Sequence, residues 1–315
     1  MARYDGRGPV DFGFQLPIQA QAPLFAQGWE AGAGVDQLGD VARVAEHAGF
    51  AYLAVCDHVA IPKARADAVG TTWFDCVATL AWLAGLTRRI RLLSHVYVLP
   101  YRHPLQVAKQ WTTLDALSRG RAILGVGAGH VAGEFAALGV DFDRRGELLD
   151  EAIDAVRAAV AGEFSHHDGD AWRYDEVGLA PRPVQAHLPI WVGGSSPAAL
   201  RRAALRGDGW LPDGPPEEGL SAGIARLHEL RDQAGRADEP FTVGALSGPL
   251  YVGTPTWDVG RAVQGSPDQV ASFLRVLAGF GVDQIQVAFR SRDVHELHDQ
   301  LRVFGAEVAP LVAAG

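Results

Sequence analysis

The chain has 315 residues, 48% hydrophobic and 21% charged, an ordinary composition for a soluble globular protein, and its 37 glycines and 18 prolines stay below the ~25–30% share that marks low-complexity chains. No run of ~18 uncharged apolar residues is available to span a membrane, Met1 to Arg7 leads into polar sequence rather than a secretory apolar core, and a net charge of −9 argues against nucleic acid held on a broad basic face. Two cysteines, Cys56 and Cys76, exclude a disulfide scaffold and a four-cysteine zinc site and point to a reducing, cytoplasmic location.

Short apolar runs then alternate with helical periods. Val10 to Leu16 reads as a first strand, and Val35 to Ala48 as a helix with Leu38, Val41, Ala42 and Ala45 on one face. Tyr52 to Val55 is a second strand, Asp75 to Leu86 a second helix, and Ile90 to Leu99 a third strand. Pro104 to Leu117 is a third helix, with proline in the first turn where a missing N–H is tolerated. Ala122 to Val126 and Glu147 to Val160 complete the fourth unit. Gly162 to Leu188 is polar and turn-rich and breaks the rhythm; Trp172 to Tyr174 is a short strand within it. The alternation resumes with strands at Pro189–Val192, Gly209–Pro212, Phe241–Val252 and Ile285–Phe289, and helices at Pro197–Leu205, Glu217–Ala234, Ser266–Phe280 and Val294–Phe304. Ser266, Pro267 and Gln269 mark the seventh helix start as a capping box.

Eight strand–helix units in order predict an α/β fold, a closed parallel (β/α)8 TIM barrel, as one domain over residues 1–315 with an insertion at about 162–188 between strands four and five. Helix two is apolar nearly all round, from Cys76 to Ala84, so its outer side is expected to face a partner subunit, and a homodimer is expected.

Barrel active sites sit at the C-terminal strand ends, and that rule selects Asp57-His58, Ser94-His95-Val96, Gly125 to His130 and Gly193-Gly194-Ser195-Ser196. The last is either a phosphate seat, with free N–H groups at a helix N-terminus, or simply a capped helix after a tight turn. Gly125 to His130 departs from G-x-G-x-x-G at His130, so its glycines are read as clearing space for a planar ligand. His58 is the best proton-transfer candidate. Asp57 points to the opposite face if the strand continues and so does not orient it. No metal is expected: His166-His167-Asp168-Gly169-Asp170 lies in the polar insertion and reads as a solvated turn, and His295 to His298 lacks the i, i+4 spacing of a zinc helix.

Together these stretches resemble the luciferase-like monooxygenase superfamily over nearly the whole chain. The matching segments include Phe12 to Pro17, Ala45 to Phe50, Cys56-Asp57-His58, Val98 to Pro104, Leu114 to Arg121, Pro189 to Pro197 and Gly207 to Pro212. Among its branches the sequence looks most like oxidoreductases that use the deazaflavin coenzyme F420. The resemblance implies an enzyme passing hydride between F420 and a small organic substrate; the alternatives are an FMN-dependent monooxygenase and a flavin-binding protein without turnover. It also implies a site in which Asp57, Ser94, His95, Val96, His130, Gly193, Gly194 and Ser195 line the cofactor and His58 transfers a proton. A non-prolyl cis peptide between His95 and Val96 is expected at the family's bulge. Lys63, Arg65 and Arg102 lie in loops where they either meet an anionic cofactor tail or are solvated surface residues. His95 stands where a small residue is usual, and His130 where alcohol and sugar-phosphate dehydrogenases of the family carry an acid.

Overall fold

A computed structural model describes residues 10–313. Strand β1 (Asp11–Gln15) leads through α1 (Val35–His47) to β2 (Tyr52–Val55), the single turn α2 (Ala66–Val69) and α3 (Cys76–Leu86). The third barrel strand comes in two pieces, β3 (Arg91–Ser94) and β4 (Tyr97–Val98), followed by α4 (Pro104–Ser118). β5 (Ala122–Gly127) is followed by the short α5 (Ala132–Ala137) and the long α6 (Arg145–Ala161). Then come β6 (Phe164–Asp168) and β7 (Arg173–Gly178), β8 (Ile190–Val192), α7 (Pro197–Arg206), β9 (Gly209–Trp210) and α8 (Leu220–Gln233). The chain finishes with β10 (Thr242–Val252), β11 (Val263–Gly265), α9 (Pro267–Ala278), β12 (Gln284–Phe289), α10 (Val294–Val303) and α11 (Ala309–Ala313).

The sheet closes as the alternation predicts. β1 pairs with β2 on one side and β12 on the other, and β10 bridges β12 and β9, all in parallel. β5 joins the third strand to β8, and β8 joins β9. This is a closed eight-stranded (β/α)8 barrel. Side chains alternate along each strand: Phe12, Phe14, Leu53, Val55, Leu92 and Val126 face the helices, while Tyr52, Ala54, Leu93, Ile123, Trp191 and Leu211 fill the interior.

Three local features depart from the simple alternation. The third strand is interrupted by a cis peptide between His95 and Val96, as expected. The insertion contains an antiparallel hairpin, β6 with β7, longer than the expected Trp172–Tyr174 strand, and it rests on α6, where Glu151 accepts from the Ala171 and Trp172 N–H groups. α3 is buried on its inner side, but Trp82 is 39% exposed on the outer side.

Gly13 and Tyr52 are cross-strand partners, and a Cβ on Gly13 would come within 1.9 Å of the Tyr52 ring. The glycine therefore gives the fully buried tyrosine its place in the interior. Gly13→Ala should lower unfolding stability by at least about 1–3 kcal/mol, the usual cost of overpacking. In a Tyr52→Ala background the same substitution should cost much less. Equal costs in the two backgrounds, read by denaturant unfolding, would show that the ring is not the obstacle.

Candidate active site

The C-terminal strand ends bring three loops together. The loop after β2 carries Asp57 and His58. The turn after β4 carries Tyr101 and Arg102, and α5, beyond β5, carries Glu134. Asp57 is buried, at 4% exposure. Its Oδ2 accepts from Arg102 at 2.6 Å and from the Val98 N–H at 2.9 Å, and its Oδ1 accepts from Arg102 at 2.8 Å. The guanidinium lies 3.9 Å above the Tyr97 ring. Burial pushes the Asp57 pKa up against the pull of this two-pronged pair, which in turn raises that of Arg102. Arg102 is thus the partner of Asp57 and not a solvated surface residue.

His58 is oriented by a residue that the sequence reading missed. Its Nδ1 lies 2.7 Å from Glu134 Oε2, and Glu134 is fully buried. The Tyr101 hydroxyl donates to the same oxygen at 2.9 Å, and the N–H groups of Val59 and Ala60 donate to Oε1 at 2.5 and 3.0 Å. Burial alone would raise the Glu134 pKa; these donors outweigh it and hold it at about 2. An ionised carboxylate only accepts, so Nδ1 carries the hydrogen and Nε2 is left as an acceptor without a hydrogen bond among the described residues. Around it stand Trp73, 4.4 Å from the imidazole between ring centroids, and the exposed His130 at 5.7 Å. As expected, Asp57 does not orient His58. The only sequence signal for Glu134 is one acid between Val131 and Phe135, in a six-residue helix with no period to read.

The bulge lies beside this cluster. Ser94 donates to the Gly125 carbonyl and accepts from the Gly125 N–H, so its hydroxyl is spent joining the two strands. Cβ atoms on Gly127 and Gly193 would lie 2.4 and 2.3 Å from the Val96 methyl groups. The space cleared by these glycines is therefore taken by the bulge itself, with Val96 seated between strands. His95 accepts at Nδ1 from Gln286, which also donates to Gln15, and donates from Nε2 to the Leu211 carbonyl. Burial pushes its pKa down, so a neutral imidazole fits both bonds.

Past β8, Gly194 has a φ of +87°, and its carbonyl accepts from the Trp210 indole at 2.9 Å. Ser196 caps α7 by accepting from the Ala199 N–H, which leaves Ser195 half-buried at the turn. Lys63 and Arg65 are exposed after β2. Gln286 Oε1 is a buried acceptor without a partner among the described residues. A helix N-terminus and two exposed cations form a donor set that fits an anionic coenzyme, beside the seated bulge and a His58 whose Nε2 is an acceptor in this tautomer. Among the described residues no group of three or more His, Cys, Asp or Glu side chains could hold a metal. No described helix is long and apolar enough to cross a membrane.

The depressed Glu134 pKa fixes a pH dependence. Its contribution to stability is present above its ordinary pKa of 4.5 and is lost as pH falls toward about 2. Glu134→Gln should cost on the order of 2 kcal/mol near pH 7, and the gap to the parent protein should close as pH falls below ~4.5. A gap that stays constant down to pH ~2, measured by denaturant unfolding, would assign the loss to shape rather than charge.

Comparison with known proteins shows the family and the fold. The family model for luciferase-like monooxygenases matches residues 10–258. The chain is 34% identical over 243 residues to an F420-dependent hydroxymycolic acid dehydrogenase of Mycobacterium tuberculosis, covering 74% of this chain and 65% of that one. It is 28% identical over 251 residues to an FMNH(2)-dependent dimethylsulfone monooxygenase of Pseudomonas fluorescens, covering 76% and 65%. The coenzyme F420-dependent tetrahydromethanopterin reductase of Methanopyrus kandleri has the same fold, with a TM-score of 0.73 at 20% identity over 96% of this chain and 99% of that one. The chain belongs to the luciferase-like monooxygenase family.

Proposed function

We propose that this protein is an oxidoreductase that moves hydride between coenzyme F420 and a small organic substrate. The observation that carries this reading is the imidazole of His58, fixed at Nδ1 by an ionised carboxylate, with no hydrogen bond at Nε2 among the described residues. The 34% identity to an F420-dependent dehydrogenase supports the coenzyme. When bound, a deazaflavin supplies a two-electron hydride carrier that reacts poorly with oxygen, whereas reduced FMN activates oxygen; in either case the protein supplies position and electrostatics.

In this reading Gly193, Gly194, Ser195 and the first turn of α7 hold the phosphate, Lys63 and Arg65 meet the anionic tail, and His95-Val96 backs the ring. His58 exchanges a proton with the substrate through Nε2. Glu134 acts through His58: it keeps hydrogen on Nδ1 and stabilises the imidazolium that forms when Nε2 accepts a proton. Tyr101 and the Val59 and Ala60 N–H groups keep Glu134 in place. We also propose a homodimer that covers the outer face of α3 around Trp82, giving about twice the chain mass in light scattering.

A second reading, an FMN-dependent monooxygenase, rests on the 28% identity to a monooxygenase of that kind. Calorimetric titration separates the two. F420 should bind at least about tenfold more tightly than FMN, a difference of ~1.4 kcal/mol. Tighter FMN binding with oxygen-dependent turnover would establish the second reading. In the same assay His58→Phe should keep coenzyme affinity and slow turnover by about 10²–10⁴-fold. Turnover unchanged from the parent would remove His58 from the chemistry.

A further inference from the structure

A cavity of about 490 Å³ lies on the same face of the barrel, over the ends of β10 and β12 and the loop after β1. Trp29, Trp257, Arg290 and Arg292 line it. It neighbours the His58 cluster along the rim: His58 touches Trp73, Trp73 meets Phe25 edge to face at 6.1 Å, and Ala26 is part of the cavity wall.

Both indoles are fixed by their own hydrogen bonds. Trp29 Nε1 donates to Ser291 Oγ at 3.1 Å, and Trp257 Nε1 donates to Glu296 Oε1 at 3.2 Å. Their N–H groups are spent, so what they offer a ligand is ring surface. The nearby carboxylates are spent too. Glu296 takes Arg292, Tyr251 and Trp257. Asp258 accepts from the Gly260 N–H, and Glu30 accepts from the Ile18 and Gln27 N–H groups. Arg290 differs: among the described residues its side chain makes no hydrogen bond or ion pair and its Nε is buried without a partner, although its charge reaches buried Glu30 and favours the ionised form of that acid against the effect of burial. A guanidinium in a half-enclosed aromatic cavity, beside carboxylates that are already satisfied, is matched by a carboxylate brought in from outside.

We propose that this cavity is a subsite for an aromatic carboxylic acid, with the carboxylate on Arg290 and the ring against Trp29 and Trp257. As the place of the substrate it rests on the reading of the barrel mouth as an active site; as a carboxylate site it does not.

The probe is 2-naphthoate, titrated calorimetrically into the full chain without coenzyme, next to uncharged 2-naphthamide. Naphthoate should bind at least about tenfold more tightly than the amide. Arg290→Gln should remove that difference and leave amide binding unchanged; the variant loses no hydrogen bond, only its charge near Glu30, and amide binding equal to the parent's shows that it is folded. Gly28 lines the cavity and has nothing within 4 Å of its Cβ position, so Gly28→Leu should weaken both ligands. Equal affinity for acid and amide, undiminished naphthoate binding to Arg290→Gln, or no binding up to about 10 mM would overturn the proposal. So would a γ-glutamyl-glutamate probe that binds through Arg290 more tightly than naphthoate, since the carboxylate would then be that of a coenzyme tail. Naphthoate binding through Arg290 in a protein that takes neither F420 nor FMN would sink the oxidoreductase reading and leave this subsite standing.

Discussion

A carboxylate withdrawn from water must be surrounded by donors, and the mouth of this barrel is organised around that requirement at Glu134. Its two oxygens collect an imidazole, a phenol and two backbone N–H groups. These donors come from the loop after β2 and the turn after β4, while the acid itself comes from beyond β5. One buried charge on α5 thus ties together the loop after β2, the turn after β4 and the segment after β5. A neutral side chain of the same shape would satisfy fewer of these donors and leave the rest desolvated, a costly state.

The Asp57–Arg102 pair makes a second tie between the same loops, with Tyr97 beneath the guanidinium. The two carboxylates divide the work. Asp57, buried against Arg102 and the Val98 N–H, fixes the course of the chain, whereas Glu134 fixes the His58 ring. Adjacent residues 57 and 58 can serve these separate ends because an extended chain turns successive side chains to opposite faces.

Much of this was legible in the sequence because it has a period. Strand and helix alternation gave the closed barrel, and the strand ends picked out His58 and His95-Val96. The orienting acid was not legible: Glu134 is 76 positions from His58 and lies in one short helix that shows no amphipathic repeat. Pairing at that separation is set by closure of the barrel, which no local pattern encodes. How His95 fits where a small residue is usual was not legible for a related reason. Its solution comes from Gln286 on β12 and the Leu211 carbonyl past β9, both remote in sequence and adjacent only across the barrel interior.

The β6–β7 hairpin follows a helix and precedes a strand, so it lies at the base of the barrel, the end away from His58 and Glu134. Lengthening a connection there carries a loop-closure cost that grows only slowly with length, and the hairpin repays part of it by packing on α6. The two ends of this chain therefore stand under different constraints. At the base, segment length and surface composition are free to drift without consequence for the His58–Glu134 contact. At the mouth, moving any one of three loops by an ångström would misalign donors contributed by the other two.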